Sequence, residues 1–349
     1  MATVAPSSPV SQSMPTQPVT PERIYQFAWG YAPPLALEAA VRHRIFDHLD
    51  AGPMSISELH AATGCSERGL ASVLNLLAGL EFLTRDENDK YALTPVSAAF
   101  LVSNKPGFLG GMLRHMTDDL IPKWLQLGDV VATGKPATAV NREQDGTQFF
   151  HGFVADLFAM SYPFARELAA HLALDRAAGP VSVLDLAAGS GVWSIALAQS
   201  SPRVRVTAVD WPGVLSVTRA TAARLGLEDR YNFVAGDLQS ADFGSGHNVA
   251  TLGHILHSEG MQRSKELLKK THAALAPGGT IAIAEFLVNA DRRGPVNGLI
   301  FAVNMLVHTD AGDTYSFEEI REWLLDVGFT HPRTLETHGP SPLILATRE

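Results

Sequence analysis

The stretch VSVLDLAAGSGVWSIALAQ, residues 181–199, joins a short apolar run to a glycine-containing turn and then to an amphipathic pattern. This order predicts a buried strand, a tight turn and a helix. Gly189 and Gly191 let the backbone of the turn come close to a ligand. A dinucleotide-binding turn has a third glycine three residues after the second, but Ser194 occupies that position. Asp185, in the strand, favours a cationic ligand group over a phosphate.

Strands and helices continue to alternate after this stretch. Further strands are predicted in RVRVTAVD (203–210), YNFVAGD (231–237), NVATLGHILH (248–257), TIAIAEFLV (280–288) and PLILATRE (342–349). Such alternation predicts right-handed βαβ units, the α/β class and a doubly wound parallel sheet. Ligands bind these sheets at the carboxyl ends of the strands. Five side chains lie at such ends and indicate a site there: Asp185, Asp210, Asp237, His257 and Glu285.

The N-terminal part has a different pattern. Residues 1–20 are rich in Pro, Ser and Thr, so we expect a disordered tail. They have no charged side chain and no continuous apolar run, so we expect no signal peptide. Residues 36–52 predict one helix, a short helix follows Ser57, and Ser66 caps a helix over 67–79. FLTRDENDKYALT (82–94) predicts a hairpin. Three helices and a hairpin are typical of a winged helix, which we assign to residues 21–105.

Charge and composition narrow the possible partners. The net charge is −9, and residues 51–105 contain four Lys or Arg against six Asp or Glu. Few phosphate contacts are therefore available, and we expect no nucleic acid partner. The absence of an apolar run of about 20 residues predicts no membrane span. The single cysteine, Cys65, excludes an internal disulfide and a cysteine-based zinc site, which fits a cytoplasmic protein.

The strand, the D-x-x-x-G-x-G turn, the acid Asp210 and the pair Gly236-Asp237 resemble class I S-adenosylmethionine-dependent methyltransferases. With the winged helix, the chain from about residue 24 resembles the small-molecule O-methyltransferases, such as caffeate, acetylserotonin and bacterial natural-product enzymes. The resemblance implies a Rossmann-like methyltransferase domain (179–349), a helical connector that shapes the substrate pocket (106–178), and a winged helix that serves dimerisation. It also implies S-adenosyl-L-methionine as cofactor, a homodimer and a small-molecule methyl acceptor.

The resemblance implies roles for the residues of the cofactor site. The glycine turn cradles the methionine part of the cofactor, and an acid after the second strand holds its ribose. A Gly-Asp-hydrophobic segment flanks the adenine. The matching residues are Asp185, Gly189, Gly191, Asp210, Asp237 and Leu238.

The catalytic base of the family follows the fourth strand after an apolar pair, which matches His257 in Ile255-Leu256-His257. Glu285 matches its acidic partner. A histidine is able to take the proton of a hydroxyl as the methyl group arrives. His254 falls earlier, so we interpret it as a structural neighbour, and because the two histidines lie across a strand exit we expect no metal site.

Two departures keep other acceptors open. The family places a second acid in a Gly-x-Glu-Arg-Thr loop, but AGDTYS (311–316) has Thr314 at that position and Asp313 one residue earlier. Asp313 is the candidate substitute. Ser258-Glu259 replaces an Asp-Trp pair after the base. Methylation of a sulfur, nitrogen or carbon atom is therefore an alternative to methylation of a hydroxyl. A non-catalytic winged-helix regulator is a third alternative.

Candidate acceptor residues come from the connector and from one late helix. Met160 and Met305 match family positions that line the acceptor pocket, although core packing explains them equally well. Phe153 and Asn304 are the other candidates for this pocket. Together these residues predict a small, partly apolar hydroxyl compound as the acceptor.

Overall fold

The computed structural model describes residues 19–349, apart from the side chains at positions 144, 145, 148, 151 and 152. Nearly all of the segment predicted to be a disordered tail lies outside the described residues. Within them, no helix is long and apolar enough to cross a membrane.

The N-terminal part folds as a helical unit with a small hairpin. Its elements are α1 (Glu22–Ala28), α2 (Ala32–Arg42), α3 (Ile45–Leu49), α4 (Ile56–Thr63), α5 (Glu67–Gly79), β1 (Leu83–Arg85), β2 (Tyr91–Leu93) and α6 (Pro95–Phe100). β1 and β2 pair antiparallel, as the sequence predicts. Leu59, Leu74, Leu77 and Tyr91 are fully buried in the core of this unit.

Two local predictions for this unit are wrong in detail. The single helix predicted over 36–52 is two helices, because Arg44 adopts a left-handed backbone (φ 56°) between them. The cap of α4 is Ser55 rather than Ser57. Ser55 Oγ accepts from the Glu58 amide while the Glu58 side chain accepts from the Ser55 amide, so a reciprocal capping box fixes the start.

Helices of the middle segment connect this unit to the sheet. They are α7 (Gly110–His115), a π-helical turn (Met116–Leu120), α8 (Ile121–Trp124), α9 (Leu127–Thr133), α10 (Glu143–Phe153), α11 (Leu157–Leu172) and a 3₁₀ turn (Leu174–Arg176). α11 packs on the first helix after the glycine turn, and α10 packs on the next helix along the chain.

The C-terminal part is a seven-stranded sheet with helices on both faces. Its elements are β3 (Val181–Leu186), α12 (Val192–Ser200), β4 (Val204–Asp210), α13 (Pro212–Arg224), a 3₁₀ turn (Glu228–Arg230), β5 (Tyr231–Ala235), β6 (His247–Gly253), α14 (Leu256–Ala274), β7 (Leu275–Ala284), α15 (Val296–His308), α16 (Phe317–Asp326), β8 (Phe329–Leu335) and β9 (Leu343–Arg348). The strand order is β5-β4-β3-β6-β7-β9-β8.

The order of the strands positions the site. From β3 the chain winds through β4 to β5, then crosses back to place β6 on the other side of β3. The carboxyl ends of β3 and β6 therefore form the switch point at which such sheets bind ligands. Two clusters of buried apolar residues, one on each face, cover the sheet.

The sheet is mixed, whereas the alternating pattern predicted parallel strands throughout. Strands β3 to β7 are parallel, but β9 runs antiparallel between β7 and β8. The sequence prediction missed β8, whose pairing is irregular between Thr330 and Arg333. Pro332 lies within this interval and has no amide hydrogen to donate, which explains both the irregularity and the weak strand signal.

Candidate active site

A cavity opens at the carboxyl ends of β3, β4 and β6, the edge at which sheets of this kind bind ligands. The floor and walls come from the glycine turn, the ends of the strands and the helices α10 and α11. The lining residues include Asn141, Phe150, Val154, Leu157, Ser161, Gly189, Trp193, Asp210, Trp211, Asp237, Leu238, His254, Ser258 and Glu259.

The glycine turn has the conformation that its sequence predicts. Gly189 and Gly191 are left-handed, with φ of 58° and 75°. The Gly191 amide donates to the Ala188 carbonyl at 2.7 Å, and α12 begins directly after it. A Cβ on Gly189 would lie 2.8 Å from Val154 Cγ2, closer than two carbons can approach. Only glycine fits where the turn, α10 and the cavity meet.

Asp185 lies behind this turn and does not line the cavity. Its side chain is buried, and it accepts hydrogen bonds from Ser194 Oγ and, at 2.7 Å, from Thr251 Oγ1. Burial raises the pKa of Asp185 to about 6 despite these hydrogen bonds. Asp185 therefore links β3 to α12 through Ser194 and to β6 through Thr251, and its predicted contact with the cofactor stays a prediction.

Asp210 ends β4 and lines the cavity. One carboxylate oxygen accepts from the Gly189 amide at 2.9 Å, and the other accepts from the Trp211 amide at 2.7 Å. Burial raises the pKa of Asp210 to about 6, against the lowering effect of these two amides. The two backbone donors fix the carboxylate at the mouth of the glycine turn, where it is placed to accept from ribose hydroxyls.

The far end of the cavity is built around Asp237 and Leu238. Asp237 Oδ1 accepts from the Gln239 amide at 2.8 Å and lies 3.6 Å from the guanidinium of Arg263. Glu259 is buried and accepts from Arg263 at 2.7 Å and from Gln239 at 3.2 Å. Glu259 thus ties the loop that carries Asp237 to α14.

The charges around the cavity have one sign. Asp210, Asp237 and Glu259 line it, and no Lys or Arg is among the described lining residues. Such a lining stabilises a cation and disfavours the phosphates of a dinucleotide. A sulfonium and an ammonium group fit it, and the buried, unpartnered Oδ1 of Asn141 offers a further acceptor.

His257 is the second residue of α14; it does not itself line the cavity but lies between the lining residues Ile255 and Ser258. Its Nδ1–H donates to Glu285 Oε2 at 2.7 Å, and its backbone amide donates to Glu285 Oε1 at 3.2 Å. Burial opposes ionisation of Glu285, but the charge and hydrogen bonds of His257 outweigh it and hold the pKa of Glu285 below its ordinary value. With Nδ1–H bound to a carboxylate, the neutral ring has its lone pair on Nε2.

His254 lies closer to this pair than the sequence suggested. One ligand atom from each of His254, His257 and Glu285 lies within 4.8 Å of the others, a distance at which three such groups are able to hold a metal ion. The strand exit therefore brings the two histidines together, and the expectation of no metal site stays a prediction. Both oxygens of Glu285 are already engaged by His257, so the carboxylate primarily orients that ring.

The proposed substitute for the second acid, Asp313, does not lie in this group. Its side chain is exposed and accepts from the Thr314 amide at 2.7 Å, while its own amide donates to the His257 carbonyl at 2.9 Å. Thr314, at the matching position, is buried and donates to the Gly298 carbonyl. The Asp313 carboxylate is thus engaged by the neighbouring amide in this structure, and its catalytic role stays a prediction.

None of the four predicted acceptor residues lines the cofactor cavity. Phe153 stacks on His115 with ring centres 3.7 Å apart, and Asn304 accepts from Trp124 Nε1 at 2.8 Å. Met305 is buried in α15, and Met160 is half-buried in α11. Their contact with an acceptor stays a prediction.

Two aromatic residues that the sequence analysis missed flank the candidate base. Phe301 contacts the His257 ring edge to face at 4.9 Å, and the rings of Phe286 and Phe301 are 4.1 Å apart. The signal for Phe301 was its position one helical turn before Met305 on the same face of α15. Phe286 directly follows Glu285 in sequence. Phe286 and Phe301 together form an apolar wall beside His257.

The fold and the acidic cavity define a doubly wound α/β protein that binds a small molecule at the switch point of its sheet. The model of the O-methyltransferase domain family matches residues 125–330, and that of the O-methyltransferase dimerisation domain matches residues 25–103. The chain therefore belongs to the S-adenosylmethionine-dependent O-methyltransferase family and carries its dimerisation domain. Both the predicted fold class and the predicted cofactor are confirmed.

Two Streptomyces enzymes are similar over nearly the whole chain. The 3-hydroxy-5-methyl-1-naphthoate 3-O-methyltransferase of Streptomyces sahachiroi is 30% identical over 92% of this chain and 92% of its own. The tetracenomycin polyketide synthesis 8-O-methyl transferase TcmO of Streptomyces glaucescens is 29% identical over 94% and 97%. The crystal structure of a putative O-methyltransferase from Nostoc punctiforme has a TM-score of 0.87 and 27% identity, covering 95% of this chain and 100% of that one.

Proposed function

We propose that this chain transfers the methyl group of S-adenosylmethionine to a hydroxyl of a small, partly apolar aromatic molecule, with His257 as general base. The observation that carries the proposal is the buried pair of His257 Nδ1 and Glu285 Oε2, 2.7 Å apart, beside the cavity. A base oriented in this way, next to a cofactor site, is the arrangement that deprotonation of an acceptor requires.

The residues divide the work. When bound, the cofactor supplies a methyl group already activated for in-line displacement. Gly189, Asp210, Asp237 and Leu238 hold it, while Asp185 and Gly191 keep the turn in shape. His257 Nε2 accepts the hydroxyl proton, and Glu285 stabilises the imidazolium that forms.

The acceptor is proposed to be a phenol of a flat, fused ring system. Phe286 and Phe301 offer an apolar wall next to His257, and stacking on such rings favours aromatic acceptors. The relatives named for a naphthoate and a tetracenomycin substrate support this class. The helices of residues 106–178 are proposed to close the pocket.

The working unit is proposed to be a homodimer. Helix α1 buries none of its residues in the protomer, and Phe27 and Trp29 are 73% and 67% exposed. An aromatic patch of this kind on a dimerisation domain is suited to docking against a second copy.

A labelled-methyl assay tests the proposal. Purified protein is incubated with S-adenosylmethionine and a panel of 1-naphthol, a thiol and an aromatic amine. We expect methylation of the naphthol, and we expect His257→Ala to bind the cofactor while losing turnover. His272→Ala, in the last turn of the same helix α14, is the control and should retain turnover. Unchanged turnover in His257→Ala would contradict the assignment of His257 as the base. Methylation of the thiol or the amine alone would show that the accepting atom is sulfur or nitrogen rather than oxygen.

A further inference from the structure

His254 has three features that an ordinary structural histidine lacks. It lines the cofactor cavity, its backbone is left-handed (φ 60°), and its Nδ1 is buried without a hydrogen-bond partner. A non-glycine residue in this region costs free energy, and so does a buried polar atom without a partner. The fold holds the residue in place through its backbone amide, which donates to the Ala284 carbonyl at 2.8 Å. The imidazole ring thus lines the cavity, and its Nδ1 makes no hydrogen bond to the rest of the protein.

The surroundings keep this ring uncharged. Burial, with a smaller contribution from His257, lowers the pKa of His254 to about 4, against the raising effect of Glu285. A neutral imidazole carries one N–H donor and one lone pair. It is therefore able to sit next to a cationic cofactor without repelling it, and still to donate a hydrogen bond.

The distance between the two histidines matches a shared ligand. Their ring centres are 6.3 Å apart, with 42° between the planes. An oxygen hydrogen-bonded to both rings at the usual ~2.8 Å separates the ring centres by roughly 6–8 Å. Phe286 lies against both rings, at 4.9 Å from His254 and 6.1 Å from His257, and closes the space on one side.

We propose that His254 is a second acceptor-binding residue, whose ring N–H donates to the reacting oxygen while His257 removes its proton. The inference rests on the proposed function and extends it, since it assigns the acceptor oxygen to a position between two imidazoles. It also fits the departures from the family pattern. Thr314 stands where the family has its second acid and Ser258 follows the base, so neither position places a carboxylate beside the acceptor.

The step balances with the residues present. The O–H bond breaks as its proton moves to His257 Nε2, and Glu285 stabilises the resulting imidazolium. The oxygen forms its new bond to the methyl carbon as the carbon–sulfur bond breaks, and the electron pair of that bond stays on sulfur. His254 donates to the oxygen throughout, so that it stabilises the negative charge developing there. The proton on His257 then passes to solvent.

The test uses the full-length protein and two probes of different acidity, 1-naphthol and the more acidic 4-nitro-1-naphthol. His254→Gly removes the ring but tolerates the left-handed backbone. His254→Asn also tolerates that backbone and retains a donor. For 1-naphthol we expect kcat/KM to fall ~10²-fold in the Gly variant and less in the Asn variant. For the nitro compound we expect a smaller loss, because its oxygen needs less stabilisation.

The activity of His254→Gly in the presence of added imidazole is a second measurement. Imidazole would not change this activity if His254 had only a structural role. It should restore part of the 1-naphthol activity of His254→Gly and none of the activity of Phe286→Ala, whose missing side chain has no hydrogen-bond donor. Equal losses for both naphthols, or no rescue in a folded variant, overturn the role of His254. If the wild type methylates neither naphthol, the proposed function fails instead. If the wild type and His257→Ala behave as proposed and His254→Gly matches the wild type, only the present inference fails.

Discussion

Replacing Asp185 by Asn should stabilise the protein without cofactor at neutral pH. Asp185 is 1% exposed, and burial raises its pKa to about 6 from an ordinary value of 3.8. Because the folded state holds the proton more tightly, this group destabilises the fold as the pH rises from about 4 to about 6, and the cost is complete above that range. A difference of about 2 pKa units corresponds to ~3 kcal/mol at pH 7.5.

The neighbours of Asp185 are able to satisfy an amide. Ser194 Oγ also lies 3.2 Å from the Gly191 carbonyl, so its hydroxyl can donate there and accept from the Asn amide instead. Thr251 Oγ1 continues to donate to the remaining oxygen. The variant therefore removes a buried charge, but its amide group also faces the Ser194 backbone amide, which donates to Asp185, so part of the ~3 kcal/mol should appear as added stability.

Thermal or urea unfolding of the cofactor-free protein at pH 4.5 and pH 7.5 measures this effect. We expect the Asn variant to exceed the wild type clearly at pH 7.5 and by ~1 kcal/mol or less at pH 4.5. Asp229→Asn, an exposed carboxylate near the same sheet, should show neither change. A variant less stable than the wild type at pH 7.5 would refute the reasoning. So would a loss of cofactor affinity as large as that of Asp210→Asn, because Asp185 does not line the cavity.

Other parts of the site make further predictions. Asp210→Asn places an amide NH2 group against the backbone amide of Gly189 or Trp211, so calorimetry should find cofactor affinity reduced ~10-fold or more. In the wild type, cofactor affinity should decrease as the pH is lowered below about 6, because Asp210 then gains a proton. Gly189→Ala should weaken cofactor binding and lower the melting temperature, and Val154→Ala in the same chain should recover part of the loss, because it removes the methyl group 2.8 Å from the new Cβ. Glu285→Gln should lower kcat/KM ~10–10²-fold with a smaller effect on cofactor affinity, since it removes the charge that stabilises the His257 imidazolium. Phe27→Glu should shift the protein from dimer to monomer in light scattering, and an unchanged mass would remove α1 from the interface.

The sequence predicted those parts of the fold whose signals are local. Ser66 and Ser316 cap α5 and α16 as expected, because the capping side chain and the amide it accepts from are three residues apart. The alternation of strands and helices likewise gave the winding of β3 to β7. The antiparallel insertion of β9 could not be predicted in this way, since it depends on a pairing between distant segments. Pro332 further weakened the pattern of β8.

The cofactor half of the site was predictable for a related reason. Asp210 and Asp237 follow parallel strands, so the topology alone brings them to one edge of the sheet. The acceptor half depends on how side chains from separate elements meet. The left-handed turn at His254 has no short-range sequence signal, and the shared face of Phe301 and Met305 does not by itself show that α15 approaches His257. The surroundings of Asp313 were not predictable from its position either, because its exposed carboxylate accepts from the Thr314 amide.

Glu259, in the pair Ser258-Glu259 that follows the candidate base, contacts the cofactor side of the site. The family has an acid next to its base, and the substitution seemed to remove that acid from the reaction. In this structure Glu259 points the other way, into the cofactor side, where it holds Gln239 and Arg263 and through them the loop of Asp237. The carboxylate of Glu259 therefore serves the loop of Asp237 on the cofactor side. Under the mechanism proposed above, the groups beside the acceptor oxygen are the two imidazoles of His254 and His257, with Glu285 bound to His257.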